Sequence, residues 1–147
     1  MGMSDPAPRL SGMVRGRPEP DPRFVARVAE VALLLPAAYE EDAWTGVRWR
    51  VRGRTFAHVV GLHHADAVER LGITDGRTVT VVTLRSSGEE RAALAAIGPP
   101  FLASWGDDVV AVVLEDDTDW TELGELVAES YRLLAPARLV RELDASG

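Results

Sequence analysis

The stretch VRWRVRGRTFAHVV, from Val47 to Val60, decides the fold. Apolar and basic residues alternate along its first half, which predicts a β-strand with one apolar face and one basic face. The apolar face takes Val47, Trp49 and Val51, and the basic face takes Arg48, Arg50 and Arg52. A glycine follows, and then a second apolar run. The stretch therefore predicts a β-hairpin.

A two-residue turn at Arg52-Gly53 keeps the same sidedness in both strands, because side chains alternate with a period of two. In this register Arg50 lies opposite Thr55, and Trp49 lies opposite Phe56. A loop of three residues would mix the two faces, so an even number is favoured.

The composition indicates a water-soluble globular domain. The chain has 147 residues, of which 46% are hydrophobic, and its mean hydropathy is -0.02. This length is sufficient for one domain with a sizeable core. No apolar run is long enough to cross a bilayer, and the first residues lack an apolar signal core, so we expect a cytoplasmic protein without membrane contact. Cysteine is absent, which excludes disulfides, thiol catalysis and cysteine-based zinc sites.

Charge is divided unevenly along the chain, whose net charge is -7. The residues up to Arg85 include 12 arginines and 10 acidic residues, whereas those after it include 4 arginines and 13 acidic residues. All 16 basic residues are arginine. The acidic second half disfavours a general nucleic-acid binder, because its field repels phosphate. A local basic surface acts only within roughly 8 Å, the screening length at physiological salt.

Helix signals surround the hairpin. Asp21 and Pro22 open a first helix, Ser87 and Glu90 open another, and Asp119 and Glu122 open a third, whose apolar stripe includes Tyr131. Pro136 begins a short last helix. The segment AAYEEDAWTG is predicted to be a loop, and HHADAVERLGITDG a connection that has room for one helical turn.

Two further apolar runs complete a predicted order of α-β-β-β-α-β-β-α-α. RTVTVVTLR forms a single strand that ends at Arg85, and residues 101–114 form a second hairpin with its turn at Gly106-Asp107-Asp108. We therefore predict an α+β fold: a mainly antiparallel sheet of two hairpins plus one further strand, with the helices packed on one face. Residues 1–20, rich in proline, are predicted to be a disordered arm, and residues 21–147 one domain.

Several segments together resemble the MmcQ/YjbR family. The segments are LLLPAAYEEDAW, WRVRGRTFAHV, VVTLR and DWTELGELVAESYRLLAPARLVREL. Each is short and mostly structural, so the resemblance is carried by their order along about 120 residues of the chain.

The resemblance implies a CyaY-like fold in which two β-hairpins form a double-wing DNA-binding motif. One wing would be residues 47–60, with its tip at residues 52–54, and the other residues 101–114. The second wing departs from the family pattern, because Asp107 and Asp108 stand at its turn where the family typically carries a basic residue or histidine. Carboxylates at a wing tip repel phosphate.

Other candidate sites are weak. His58, His63 and His64 lack the i,i+4 spacing of a helical metal pair, and the acidic run EDDTDWTE lacks the spacing of a calcium loop. There is no phosphate loop or nucleophile elbow in the sequence. We expect no metal site, no cofactor and no enzymatic activity.

Two functions remain open. The first is binding of DNA or another polyanion through guanidinium groups that contact phosphate, and its residues would be Arg48, Arg50, Arg52, Arg54 and Arg85. The second is a protein-interaction or small-ligand module without affinity for nucleic acid, for example a homodimer in which the basic stripe of one copy meets the acidic half of another. In the second case the arginines only keep the outer face of the hairpin in contact with water.

Overall fold

The computed structural model describes residues 18–72, 76–103 and 106–146. The helices are α1 (Pro22–Ala32), α2 (His64–Leu71), α3 (Gly88–Ile97), α4 (Trp120–Leu134) and α5 (Ala137–Ser146). The strands are β1 (Tyr39–Asp42), β2 (Val47–Val51), β3 (Arg54–Leu62), β4 (Val79–Arg85), β5 (Phe101–Leu102) and β6 (Val109–Leu114).

One antiparallel sheet contains all six of these strands, in the spatial order β1-β2-β3-β4-β6-β5. The predicted α+β class with an antiparallel sheet is confirmed. Both edge strands are short, β1 with four residues and β5 with two. Short edges leave few unpaired backbone groups for another chain to pair with.

The β2–β3 hairpin has the predicted two-residue turn. Arg52 and Gly53 both have positive φ, 52° and 78°, which is the combination of a type I′ turn. Arg50 lies opposite Thr55, as expected. The predicted pairing of Trp49 with Phe56 is wrong, because a bulge after Trp49 places Ala57 opposite Trp49 and leaves Phe56 as the additional residue.

The first face of the sheet is covered by α1 and α4 and forms the larger core. Trp49 and Phe56 are both buried there, because the bulge turns Phe56 to the same side as Ala57. Tyr131 of α4 packs edge-on against Phe56, with ring centroids 5.5 Å apart, and donates a hydrogen bond of 2.7 Å to the carbonyl of Pro36. Burial raises the pKa of Tyr131. The predicted core face of α4 is thus confirmed.

The second face carries a smaller core under α2. Val60, Val81 and Val113 are buried on this side together with Ala67 of the helix. The prediction that all helices pack on one face is therefore wrong. Only one end of the second face is covered, because α2 has eight residues.

The predicted helix starts are confirmed by their caps. The side chains of Asp21, Ser87 and Asp119 accept hydrogen bonds from the backbone N–H groups of Arg23, Glu90 and Glu122. Each cap satisfies a donor that has no partner inside its helix.

Two segments predicted to be a loop and a connection contain more regular structure than expected. AAYEEDAWTG contains β1, whose acidic residues have low strand propensity but pair across to β2 through side chains. HHADAVERLGITDG contains α2, which is stabilised by burial of Ala67 and ends at Gly72 with a positive φ of 70°. Tertiary packing overrides local propensity in both.

The predicted disordered arm lies outside the described residues over positions 1–17. Its last three residues are described, and Pro20 is buried. The chain here runs against Gly61 of β3, where a Cβ would stand 2.4 Å from the carbonyl oxygen of Pro18. Position 61 therefore has no room for a side chain.

Candidate nucleic-acid interface

The end of the second face that α2 leaves uncovered carries basic side chains from three strands. Arg48 lies opposite His58 in β3, and His58 lies opposite Thr83 in β4. Residues directly opposite in an antiparallel sheet share a face, and so do residues two positions apart. Arg50 and Arg85 therefore project on the same side. We call this surface, formed by Arg48, Arg50, His58, Thr83 and Arg85, the arginine face.

Glu41 of β1 neutralises part of this surface. It lies opposite Arg48, and its Oε1 accepts a 2.7 Å hydrogen bond from Nε of Arg48 as well as a contact from Nη2. Nη1 of Arg50 lies 3.4 Å from the same oxygen. The hydrogen bond from Arg48 lowers the pKa of Glu41, so this carboxylate is charged at neutral pH. An incoming phosphate has to compete with it.

Arg50 has donor capacity left over. Its Nη2 donates to the carbonyl of Gly53 at the turn, and its Nη1 contacts Glu41. Its Nε is buried and has no hydrogen-bond partner among the described residues. A buried donor without a partner is destabilising. An anion oxygen in this place would satisfy it.

Arg85 is fixed from two directions. Its backbone N–H donates to Oγ of Ser130 at 2.8 Å, and Ser130 in turn donates to the carbonyl of Phe56. The buried hydroxyl thus joins α4 to β3 and β4. The guanidinium group of Arg85 reaches Asp108, at 2.9 Å, in the turn before β6.

A cleft of about 220 Å³ lies between these groups. Arg48, His58, Thr83 and Arg85 all line it. Nε2 of His58 lies 2.6 Å from the carbonyl oxygen of Thr45. Since a carbonyl only accepts, this nitrogen carries the proton. The cleft thus has guanidinium groups at two of its sides and no carboxylate among its lining residues.

Arg52 and Arg54 stand at the turn of the hairpin and are exposed. Neither forms an ion pair with a described residue. Arg54 lies opposite Val51, a residue of the first face, so its side chain starts on that face, which α1 and α4 cover. The turn therefore presents two guanidinium groups to solvent beside the arginine face.

The structure groups the five predicted arginines into a face of three and a turn of two. The arginines of the face are not free of carboxylates, because Glu41 and Asp108 bind them. Sequence reasoning missed two groups that shape the surface, Glu41 and Ser130. For Glu41 a signal existed, because its segment lies just before the hairpin and carries the opposite charge.

Among the described residues, no three His, Asp or Glu side chains lie close enough together to hold a metal ion. No described helix is long and apolar enough to cross a bilayer.

Comparison with known proteins shows the family of the chain. The model of the YjbR family matches residues 33–133, which include both hairpins and most of α4. The chain belongs to the YjbR family. No curated protein matches it.

A crystal structure of a protein from Pseudomonas syringae is similar to this YjbR-family chain. The TM-score is 0.59 at 16% sequence identity, over 76% of this chain and 96% of the other. Similarity at this identity supports the fold alone. The function of the YjbR-family chain has to be argued from its own side chains.

Proposed function

We propose that this YjbR-family protein binds nucleic acid, in the first place DNA, through phosphate contacts of the arginine face and the adjoining turn. One observation carries the proposal: arginines of β2 and β4 lie on one side of the sheet, around a cleft lined by Arg48, His58 and Arg85, and the exposed turn adjoins them. Guanidinium groups match phosphate oxygens in geometry and charge. Contacts of this kind position a strand with little reading of its bases.

The turn is the part of the surface that requires no rearrangement. Arg52 holds a positive φ of 52° in a turn where asparagine, aspartate and glycine are preferred. A left-handed conformation costs an ordinary L-residue roughly 1–2 kcal/mol. An arginine kept there at that cost is consistent with a use for its side chain outside the fold.

The test reverses charge at the turn. Arg52→Glu together with Arg54→Glu is expected to abolish binding to a DNA oligomer in a low-salt gel shift and to leave thermal unfolding almost unchanged, because both side chains are exposed. The matched control is Arg138→Glu with Arg141→Glu in α5, two other exposed arginines. Equal loss in both variants would mean that only net charge matters and would overturn the site.

Salt dependence gives a second measurement on the wild-type protein. Each phosphate neutralised contributes about -0.9 to the slope of log K against log salt for duplex DNA. Engagement of three or four arginines predicts a slope of roughly -3. A slope near zero would contradict phosphate contacts.

Absence of binding at low salt would favour the alternative, an interaction or small-ligand module. A larger cavity of about 610 Å³ is available for it, at the β5 edge of the sheet. Its walls include Phe101, Leu102, Leu123 and Leu126, with Glu122 among its polar residues. Mainly apolar cavities of several hundred Å³ are typical of ligand sites.

A further inference from the structure

Trp44 is the most exposed large apolar side chain of the described chain, at 97%. It lies in the loop between β1 and β2. This loop is held tightly: the N–H of Ala43 donates to the carbonyl of Gly46 at 3.1 Å, and Gly46 has a φ of +77°. A Cβ at Gly46 would stand 1.9 Å from the carbonyl oxygen of Val59, so the loop packs directly on β3. Trp44 is therefore presented to solvent by a fixed backbone.

The same loop is attached to the arginine face. His58, one of the residues lining the cleft, donates from Nε2 to the carbonyl oxygen of Thr45, the residue after Trp44. Arg48 follows only four residues after Trp44 in the chain. The indole thus stands at the border of the arginine face.

A second aromatic side chain lies at the same edge. Tyr39 of β1 is directly opposite Arg50, which places it on the arginine face, and it is 39% exposed. The β1 edge of this surface therefore offers two accessible aromatic rings. The guanidinium groups of Arg48 and Arg50 lie next to them, on the neighbouring strand β2.

The accessibility of the arginines indicates which form of nucleic acid fits. The side chains of Arg48 and Arg50 are only 35% and 23% exposed, because they lie along the sheet. A duplex presents a stiff convex backbone and keeps its bases stacked inside. A single strand bends into a recess and leaves its bases free to stack on aromatic rings. The turn of the second hairpin adds Asp107 and Asp108, which repel a second backbone.

We infer that the preferred ligand of this surface is a single-stranded nucleic acid, with phosphates along Arg48 and Arg85 and a base stacked on Trp44. This inference rests on the proposed function and names the strand form that the site takes. Stacking of one base on an aromatic side chain changes affinity by about 5- to 150-fold.

The experiment compares three ligands of equal length: a 12-nucleotide thymidine oligomer, an abasic 12-mer with the same phosphates, and a 12-base-pair duplex. The wild-type protein is expected to bind the thymidine oligomer at least about fivefold more tightly than either of the others. Trp44→Ala is expected to lower affinity for the thymidine oligomer by about tenfold and to leave affinity for the abasic oligomer unchanged. Trp44→Phe is expected to restore most of the loss.

The matched control is Leu34→Ala. Leu34 is also highly exposed, at 81%, but it follows α1, which covers the face opposite the arginine face. It is expected to change none of the three affinities. Because Trp44 is almost fully exposed, its replacement is expected to leave thermal unfolding unchanged.

Three outcomes count against the proposals in different ways. Binding of all three ligands with no effect of Trp44→Ala would overturn the inference and leave the proposed phosphate contacts standing. Tighter binding of the duplex would also overturn it. Failure to bind any ligand at low salt would overturn the proposed function together with the inference.

Discussion

The hairpin β2–β3 and the hairpin β5–β6 belong to one sheet, yet they present opposite charge at their turns. The first has a tight two-residue turn with exposed Arg52 and extends into strands of five and nine residues. The second pairs only two residues of β5 with β6, and Asp107 and Asp108 stand in its connection. The long paired strands of the first hairpin fix the position of its charged turn. The second hairpin forms one edge of the sheet. Among the described residues, the two hairpins thus differ in strand length and in the charge at their turns.

The largest expected difference between the hairpins is in stability. Trp49→Ala removes a fully buried indole that also donates a 3.0 Å hydrogen bond to Glu40, and we expect it to lower the free energy of unfolding by about 3–5 kcal/mol. Phe101→Ala removes a buried ring from a two-residue edge strand, where the surroundings relax more easily, and should lower it by about 3 kcal/mol, the low end of the usual range. Urea unfolding measures both. Equal losses would mean that the second hairpin is as integral to the fold as the first.

The next comparison concerns the carboxylates that bind the arginines of the face. Glu41→Gln removes the partner of Arg48 and Arg50, and we expect affinity for a DNA oligomer to rise about three- to tenfold, since phosphate no longer competes with a carboxylate. Asp108→Asn frees Arg85 alone and should raise affinity about twofold, because Asp108 is more exposed than Glu41. Fluorescence anisotropy at fixed salt measures both.

The pKa of Glu41 gives the sign of the pH effect in the same experiment. Because that pKa lies below its ordinary value, the ion pairs with Arg48 and Arg50 persist as pH falls to the usual range of a glutamate and are lost only below it. The gain from Glu41→Gln should therefore be the same at pH 6 and pH 8. A gain that disappears at pH 6 would show that Glu41 does not hold these arginines.

The smallest expected effect is at the tip of the first hairpin, where stability and binding should move in opposite directions. Arg52→Asn creates Asn-Gly, the pair that type I′ turns prefer, and should raise the free energy of unfolding by about 0.5 kcal/mol. The same change removes one phosphate contact and should lower affinity for the oligomer two- to threefold. Thermal unfolding and anisotropy on one sample measure both. A loss of stability would mean that the arginine side chain itself supports the turn.

Much of the fold could be predicted because the signals were local. Alternation identified β2 and its turn, and side-chain caps identified the starts of α1, α3 and α4. The missed elements depend on distant contacts. β1 forms although it carries three consecutive acidic residues, because Glu40 and Glu41 meet Trp49 and Arg48 of the neighbouring strand.

The candidate site was predictable in its residue types and not in its charge balance. Period-two alternation is sufficient to place Arg48 and Arg50 on one face. Whether Arg85 joins them, and which carboxylates lie opposite, depends on the order of the strands in the sheet. The sequence alone does not show which strands are neighbours. The bulge at Phe56 was equally hidden, because it depends on how two aromatic residues fit under α4.

The close approach of Pro18 to Gly61 has a practical consequence for attaching this protein to a surface. Gly61 lies seven residues along β3 from Arg54, which is about 23 Å at the usual rise of a strand. Its approach to Pro18 is on the first face of the sheet. The chain thus enters the folded body at the far end from the arginine-bearing turn. A biotin or affinity handle attached just ahead of Pro18 therefore starts about 23 Å from that turn and on the face opposite the cleft, so surface-based binding assays can use this position as their tether.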